Sequence, residues 1–297
     1  MKALVILNGI SARKKYFYQS ILPALESVAN VVVKETTHAG HAEVLAREFG
    51  SHAFDVVFAA GGDGTLHQVL NGLLVAESSR TLGLIPLGTG NDFARSIDVT
   101  SDGKQLAELL TKNNPKTIDV GKVKLTDRNG HDSVRYFINE CSLGMGPEVV
   151  RRIQEEGASI HPSLTYYKSI VKTFMTLPRP AIHIQSTEWE WKGKACVFAM
   201  ANGKAFGHAV YIAPDAQLTD GKLNTFLAGD FPVWRFLLYL QKIKSGKKVQ
   251  DRKIWYGTTT SIHVDASTPV AIEADGELIG YTPLATEVIP ARIKFLY

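Results

Sequence analysis

Cysteine is scarce in this sequence: 297 residues contain two, Cys141 and Cys196, each within an apolar, strand-like stretch. That scarcity excludes a disulfide-built scaffold and suits two reduced, buried thiols in a reducing compartment. No uncharged apolar run reaches the ~18 residues of a membrane-spanning helix. Met1 to Gly9 has a strand's length followed by a turn, so neither a spanning helix nor a secretory leader is expected, and the expected place is the cytoplasm. Internal repeats and low-complexity tracts are missing. Charge is nearly balanced, with 33 Lys and Arg against 29 Asp and Glu. Without zinc-ligand spacing or an RNA-binding motif, that mild excess gives no ground for nucleic-acid binding. His38 and His41 lack a third ligand at a telling spacing and are read as surface or capping residues. Both common nucleotide fingerprints, G-x-x-x-x-G-K-[ST] and a strand-linked G-x-G-x-x-G with an acid about 20 residues on, are absent.

What is present is enough for two domains, since 45% of the residues are hydrophobic and 21% charged. The first 120 or so residues alternate strand and helix. Strands are expected at Ala3 to Leu7, Val31 to Glu35, Asp55 to Ala60 and Thr81 to Leu87, with helices near Lys15 to Val28 and Gly40 to Phe49. This is a parallel α/β domain. From Thr117 short segments follow one another: Lys122 to Thr126, Tyr136 to Cys141, Ala181 to Ser186, Ala195 to Ala201, Lys222 to Ala228, Ser261 to Asp265 and Pro269 to Ala274. Separated by Gly, Asp, Asn and Pro, they suggest a mainly antiparallel β domain. One helical interruption is expected over Ser163 to Met175.

Two glycine-rich turns carry the strongest chemical signal. Gly61-Gly62-Asp63-Gly64-Thr65 and Gly88-Thr89-Gly90-Asn91-Asp92 each close a short apolar run. After the first, Leu66, Val69, Leu70, Leu73 and Leu74 recur at helical spacing, which puts the glycines at a helix N-terminus, where backbone N–H groups bind anions. Glycine lets the chain approach a phosphate without a Cβ in the way. A carboxylate among phosphates is repelled unless a divalent cation lies between or it takes up a proton, so Asp63 implies Mg2+ or acid/base work.

These turns, with Pro86 to Arg95, Asp220-Gly221-Lys222-Leu223 and Asp275-Gly276-Glu277, resemble the diacylglycerol-kinase-like family of bacterial lipid kinases. Relatives of that family include sphingosine kinases and, more remotely, NAD kinases and phosphofructokinases. The resemblance implies an N-terminal α/β domain of NAD-kinase/phosphofructokinase type over residues 1–121, which residues 288–297 could complete. It also implies a β-rich lipid-substrate domain over 122–287 and an active site in the cleft between the two. It implies ATP and Mg2+ as cofactors and a lipid hydroxyl, of diacylglycerol or a relative, as acceptor.

Matched residue by residue, the nucleotide contacts would be Asn8, Gly9, Thr36, the main loop of Gly61, Gly62, Asp63, Gly64, Thr65, Leu66 and His67, and in the second loop Thr89 and Asn91. His67 departs from the family, which usually has Asn there. Asp63, Asp92 and Asp119 would support the catalytic Mg2+. A structural Mg2+ would take the Asp220 side chain with the carbonyls of Gln217 and Lys222. Asp63 would be the first catalytic residue and Glu277 the general base for the lipid hydroxyl. On the residues alone, Asp220-Gly221 and Asp275-Gly276 read simply as turns.

Other readings stay open. Asn139-Glu140 is reminiscent of the NAD kinase substrate motif, and a nucleotide or lipid sensor without turnover would tolerate His67. Between Arg235 and Lys253 seven Lys and Arg stand against one acid, after the apolar stretch Phe231 to Leu240. That region reads either as a core helix with a solvated basic turn or as a surface for an anionic bilayer. A lipid substrate would bring the protein to the inner face of the membrane. A homodimer is conceivable, though no residue pattern marks its surface.

Overall fold

The computed structural model describes residues 1–50, 54–156, 172–176 and 179–297. Chain contacts divide it into two compact units, Met1–Asp119 with Ala291–Tyr297, and Val120–Pro290.

In the first unit β1 (Lys2–Leu7), β2 (Asn30–Glu35), β3 (Val56–Gly61) and β4 (Thr81–Pro86) run parallel in the order β4-β3-β1-β2. Every residue of β3 and β4 is buried, because helices cover both faces of a parallel sheet. That is why these strands read as unbroken apolar runs. Beyond β4, Phe295 and Leu296 pair in parallel with Leu82 and Gly83. Phe295 meets Phe93 edge to face with ring centroids 5.3 Å apart. The Asp63–Val75 helix buries Leu66, Val69, Leu70, Leu73 and Leu74, the stripe its spacing requires. Helical turns also cover 14–26, with a π-helical stretch at Phe17–Ile21, and His41–Phe49, Asp92–Ser96 and Gly103–Lys112.

The second unit holds β5 (Lys116–Thr126, from Val120 on), β6 (Asp132–Phe137), β7 (Glu140–Gly144), β8 (Ala181–Ser186) and β9 (Glu190–Ala201). There follow β10 (Leu223–Gly229), β11 (Ile254–Thr259), β12 (Ser261–Ala266), β13 (Ala271–Ala274) and β14 (Glu277–Leu296, to Pro290). Their pairing is antiparallel, and the path β9-β7-β13-β14-β12-β8 returns to β9. Closing the path leaves those six strands without a free edge. Leu143, Phe198, Met200, Ile272 and Leu284 fill the interior. A second core lies on the other side of β9 and β10, where Cys196, Ala199 and Phe226 meet residues of the helices Met145–Glu156 and Val233–Lys244. With both faces covered, β9 ends as the run Ala-Cys-Val-Phe-Ala-Met-Ala. Both cysteines are unpaired and buried.

The structure departs from the sequence reading at several elements. Tyr136 to Cys141 is two strands, because the N–H groups of Ile138, Asn139 and Glu140 donate to the Asp275 carboxylate. Met145-Gly146-Pro147 opens a helix that has no counterpart in the sequence reading, and proline is tolerated in a first helical turn because its N–H would go unused there. β11 was hidden by its Gly and Thr content, and the length of β14 by Gly280, Pro283 and Pro290. Of the helix expected over Ser163 to Met175, residues 163–171 lie outside the described residues, while 172–176 are helical. Among the described residues no helix is long and apolar enough to cross a membrane.

Candidate active site

Asn8, Thr36, Gly61 to Thr65 and Gly88 to Asn91 all lie at or just past the carboxyl ends of β1 to β4. In such a sheet ligands bind outside the strand ends where the order reverses, here between β1 and β3. Hydrogen bonds tie the loops into one rim. Asn8 Nδ2 donates to Thr65 Oγ1 at 3.4 Å and the Gly9 N–H to Thr36 Oγ1 at 3.1 Å. The N–H groups of Leu87 and Gly88 both donate to the Gly61 carbonyl, at 2.8 and 3.1 Å. Asn91, in a left-handed conformation at φ 52°, closes its own loop by accepting from the Gly88 N–H and donating to the Gly88 carbonyl.

The glycines separate into two kinds. A Cβ on Gly88 would lie 2.5 Å from Gly62 Cα and one on Gly61 would lie 2.3 Å from Thr65 Oγ1, so those two are required by the protein's own packing. A Cβ on Gly62 would meet Gly88 Cα at an ordinary 3.4 Å. Nothing in the fold demands glycine at position 62. It stands immediately before the Asp63–Val75 helix, whose first intrahelical bond here is Leu66 N–H to the Gly62 carbonyl. The N–H groups of Asp63, Gly64 and Thr65 therefore have no acceptor within the helix.

Asp63 joins the two glycine-rich loops. Its carboxylate accepts the N–H groups of Asp92 and Phe93, each at 3.1 Å, and so caps the Asp92–Ser96 helix. Asp92 is 5% exposed, with Arg95 Nε 3.9 Å from its carboxylate. Asp119 is 2% exposed and accepts the Ala291 N–H at 2.8 Å. Among the described residues no three His, Cys, Asp or Glu side chains form a group that could hold a metal. Thr89 is exposed on the rim. Leu66 and His67 point inward, His67 beside Asn71, whose side chain donates to the His67 carbonyl at 2.8 Å. At that interior position the His67 ring meets its own helix rather than the solvent. On the rim's flank Lys14 pairs with Glu35, and Tyr18 donates to the same carboxylate at 2.6 Å. Those bonds hold Glu35 below the usual carboxyl range, and burial with the neighbouring Glu35 pushes the Tyr18 hydroxyl up to about 12.

In the second unit the Asp275-Gly276-Glu277 turn is held by buried acids. Asp275, at φ 49°, accepts three N–H groups at 2.9 to 3.1 Å from residues 138–140. Glu273 is 1% exposed and takes the Ser142 hydroxyl at 2.5 Å and the Gly276 N–H at 2.9 Å. Burial raises the Glu273 pKa, against the opposing hydrogen bonds from Glu140, Ser142 and Gly276. Asn139 and Glu140 are each 2% exposed and knit strands together, Asn139 Nδ2 donating to the Ala205 carbonyl. Glu277, after the turn, is half-buried. Sequence reasoning missed Glu273, since a single acid in Ala-Ile-Glu-Ala carries no signal without its partners. The Asp220 carboxylate accepts the Lys222 N–H at 3.1 Å in an exposed turn, and Gln217 is likewise exposed.

A narrow apolar cavity lies in the second core, between β9, β10 and the helical segments. Met145, Val149, Phe174, Phe231, Phe236 and Ile243 are among its walls. Gly146 also lines it, and a Cβ there would sit 2.4 Å from Ser142 Oγ and 3.1 Å from Glu273 Oε1. One side of the cavity thus abuts the buried pair that holds Gly276, the residue before Glu277.

Comparison with known proteins agrees with this architecture. Residues 2–123 match the diacylglycerol kinase catalytic domain family, and residues 141–297 the family described as the YegS C-terminal NAD kinase beta sandwich-like domain. A diacylglycerol kinase of Bacillus subtilis is 28% identical over 286 residues, covering 95% of this chain and 91% of that one. A diacylglycerol kinase of Staphylococcus saprophyticus is 27% identical over 288 residues, covering 95% and 90%. A crystal structure of a diacylglycerol kinase from Bacillus anthracis superposes with a TM-score of 0.74 at 24% identity, covering 100% of this chain and 96% of that one, and shows the shared fold. The chain belongs to the lipid kinase family that joins a diacylglycerol kinase catalytic domain to a YegS-type C-terminal domain.

Proposed function

We propose that the protein transfers the γ-phosphoryl group of ATP, with Mg2+, to a hydroxyl of diacylglycerol or a related lipid. The observation that carries this reading is the apolar cavity whose Gly146 side adjoins the turn bearing Glu277. A cavity of that lining suits an acyl chain, whose polar end would then lie toward the turn that bears Glu277.

The rim of the first unit suits the donor. Gly62 is free to be approached closely, three N–H groups open the following helix, and both features favour phosphate oxygens. Asp63 and Asp92 offer carboxylates on the same rim, a donor set that fits a magnesium ion arriving with its nucleotide, since Mg2+ is commonly held by one or two carboxylates plus substrate phosphates. When bound, Mg2+ offsets charge on the transferring group. The lipid hydroxyl oxygen attacks the γ-phosphorus as the bond to the bridging oxygen of ADP breaks, and Glu277 takes the hydroxyl proton. The proposal requires both units to act on one pair of reactants.

Asn139 and Glu140, the pair reminiscent of the NAD kinase substrate motif, are buried among the strands, which favours the lipid reading over a soluble acceptor. Incubating the protein with labelled ATP and either NAD or a lipid panel, with products identified by mass spectrometry, tests the reading. A phosphorylated lipid supports it. Phosphorylated NAD alone, or nucleotide binding without turnover on any lipid, would overturn it.

A further inference from the structure

The helix Val233–Lys244 is apolar on two opposite sides. Phe236, Tyr239, Leu240 and Ile243 face the second core and wall the cavity. Trp234, Leu237 and Leu238, three and four residues apart, share the other side and are 56%, 44% and 67% exposed. A surface helix ordinarily carries polar residues on its outer face, so a large apolar stripe there marks a binding surface. Arg235 leans over the Trp234 ring at 5.6 Å, so the aromatic stripe begins beside a cation.

The same stripe continues into basic residues. Gln241, Lys242 and Ser245 follow on the outer side, and the turn beyond carries Lys247 and Lys248, all exposed. From Arg235 to Lys253 the chain has seven Lys and Arg against one acid, Asp251. Asp251 lies 3.6 Å from Arg235, and Lys248 pairs with Asp215, which leaves a clear positive excess around the stripe. Trp at headgroup depth, Leu reaching the acyl boundary and Lys at the phosphates are what an anionic bilayer surface selects.

We propose that the outer side of Val233–Lys244 docks on an anionic lipid bilayer, with Trp234, Leu237 and Leu238 inserted and the basic turn on the headgroups. Charge argues against a second copy as the occupant. An isologous dimer through this face would set the stripe and its basic turn against themselves, like charge near like charge. In linking the docked helix to the cavity it walls, the proposal rests on the reading of that cavity as the acceptor's site. The docking itself does not.

The test is sedimentation of the whole chain with phosphatidylcholine vesicles, with and without phosphatidylglycerol, at low and high salt. The parent should bind the anionic vesicles and be released by salt. Trp234→Ser with Leu238→Ser, both at exposed positions, should bind about tenfold or more weakly, and Lys242→Glu with Lys247→Glu should bind weakly and lose the salt dependence. Each variant should phosphorylate a short-chain acceptor presented below its micellar limit as fast as the parent. Equal binding by parent and variants, or no binding by the parent, overturns the proposal. So does a parent dimer in analytical ultracentrifugation that the Trp234→Ser and Leu238→Ser variant dissociates. If no lipid is ever phosphorylated while vesicle binding still follows the variants, the kinase reading fails and the docking surface stands.

Discussion

The two units hold a short loop in place by different physics. In the first, the chain approaches itself so closely that backbone meets backbone, Gly62 against Gly88, and the Asp63 carboxylate takes its place as a cap. In the second, the turn before Glu277 hangs on carboxyls sunk in the interior, Asp275 accepting three N–H groups and Glu273 one N–H and a hydroxyl. Packing of the first kind is sensitive to added volume and indifferent to protonation. The support that Glu273 gives is sensitive to pH, because burial raises its pKa above the ordinary carboxyl value.

The strongest way to break this contrast is at Asp63, which caps a helix in the first unit and is proposed to act in catalysis. Asp63→Ala should lower kcat by about 1,000-fold in a lipid kinase assay and, by removing the cap, lower stability by about 1 kcal/mol in denaturant unfolding. A loss of stability with full turnover would leave Asp63 as a cap alone. Next comes Glu277→Gln. Turnover should fall about 100-fold or more, while the melting temperature and nucleotide affinity stay at parental values, since the side chain is half-buried with no role in holding the turn.

The glycine pair gives a sharper comparison. Gly88→Ala forces a Cβ to 2.5 Å from Gly62 Cα, so stability should fall by about 1–3 kcal/mol. Gly62→Ala has room, so stability should stay within about 0.5 kcal/mol while ATP affinity by calorimetry weakens about tenfold. Unchanged ATP affinity in a well-folded Gly62→Ala protein would remove the phosphate from this loop.

The smallest effect concerns pH. The folded pKa of Glu273 is raised by burial, so its contribution to stability is fully present below the unfolded carboxyl pKa and is lost as pH rises through the folded one. Thermal melts should therefore show Glu273→Gln gaining on the parent as pH climbs and matching or trailing it in acid. Glu35, held low by Lys14 and Tyr18 in the first unit, has the opposite sign: what it contributes disappears as pH falls.

Much of the first unit was legible because a parallel sheet covered on both faces writes itself as apolar runs closed by glycine, and β3 and β4 did so. The Gly-Gly-Asp-Gly-Thr turn announced its helix through the leucine spacing that follows. The second unit was harder to read. β14 carries two prolines and a glycine over 20 residues and still runs as one strand, and the break at Ile138 depends on a carboxylate 137 residues away. Likewise the sequence leaves Phe231 to Leu240 open between core helix and bilayer surface, since Trp234 and Phe236 look equally fit for a core until one is seen to face out. Local pattern reports what a residue prefers; these features were decided by long-range partners.

Residues 291–297 have a consequence for how the protein is made. They are synthesised after the whole second unit, yet they supply the strand that pairs with Leu82 and Gly83 and the ring that meets Phe93. On the ribosome, the first unit therefore waits with an open sheet edge while more than half of the chain is still to come. A ribosome that stalls before residue 291 releases the first unit with that edge bare, the kind of surface quality-control chaperones and aggregates both recognise.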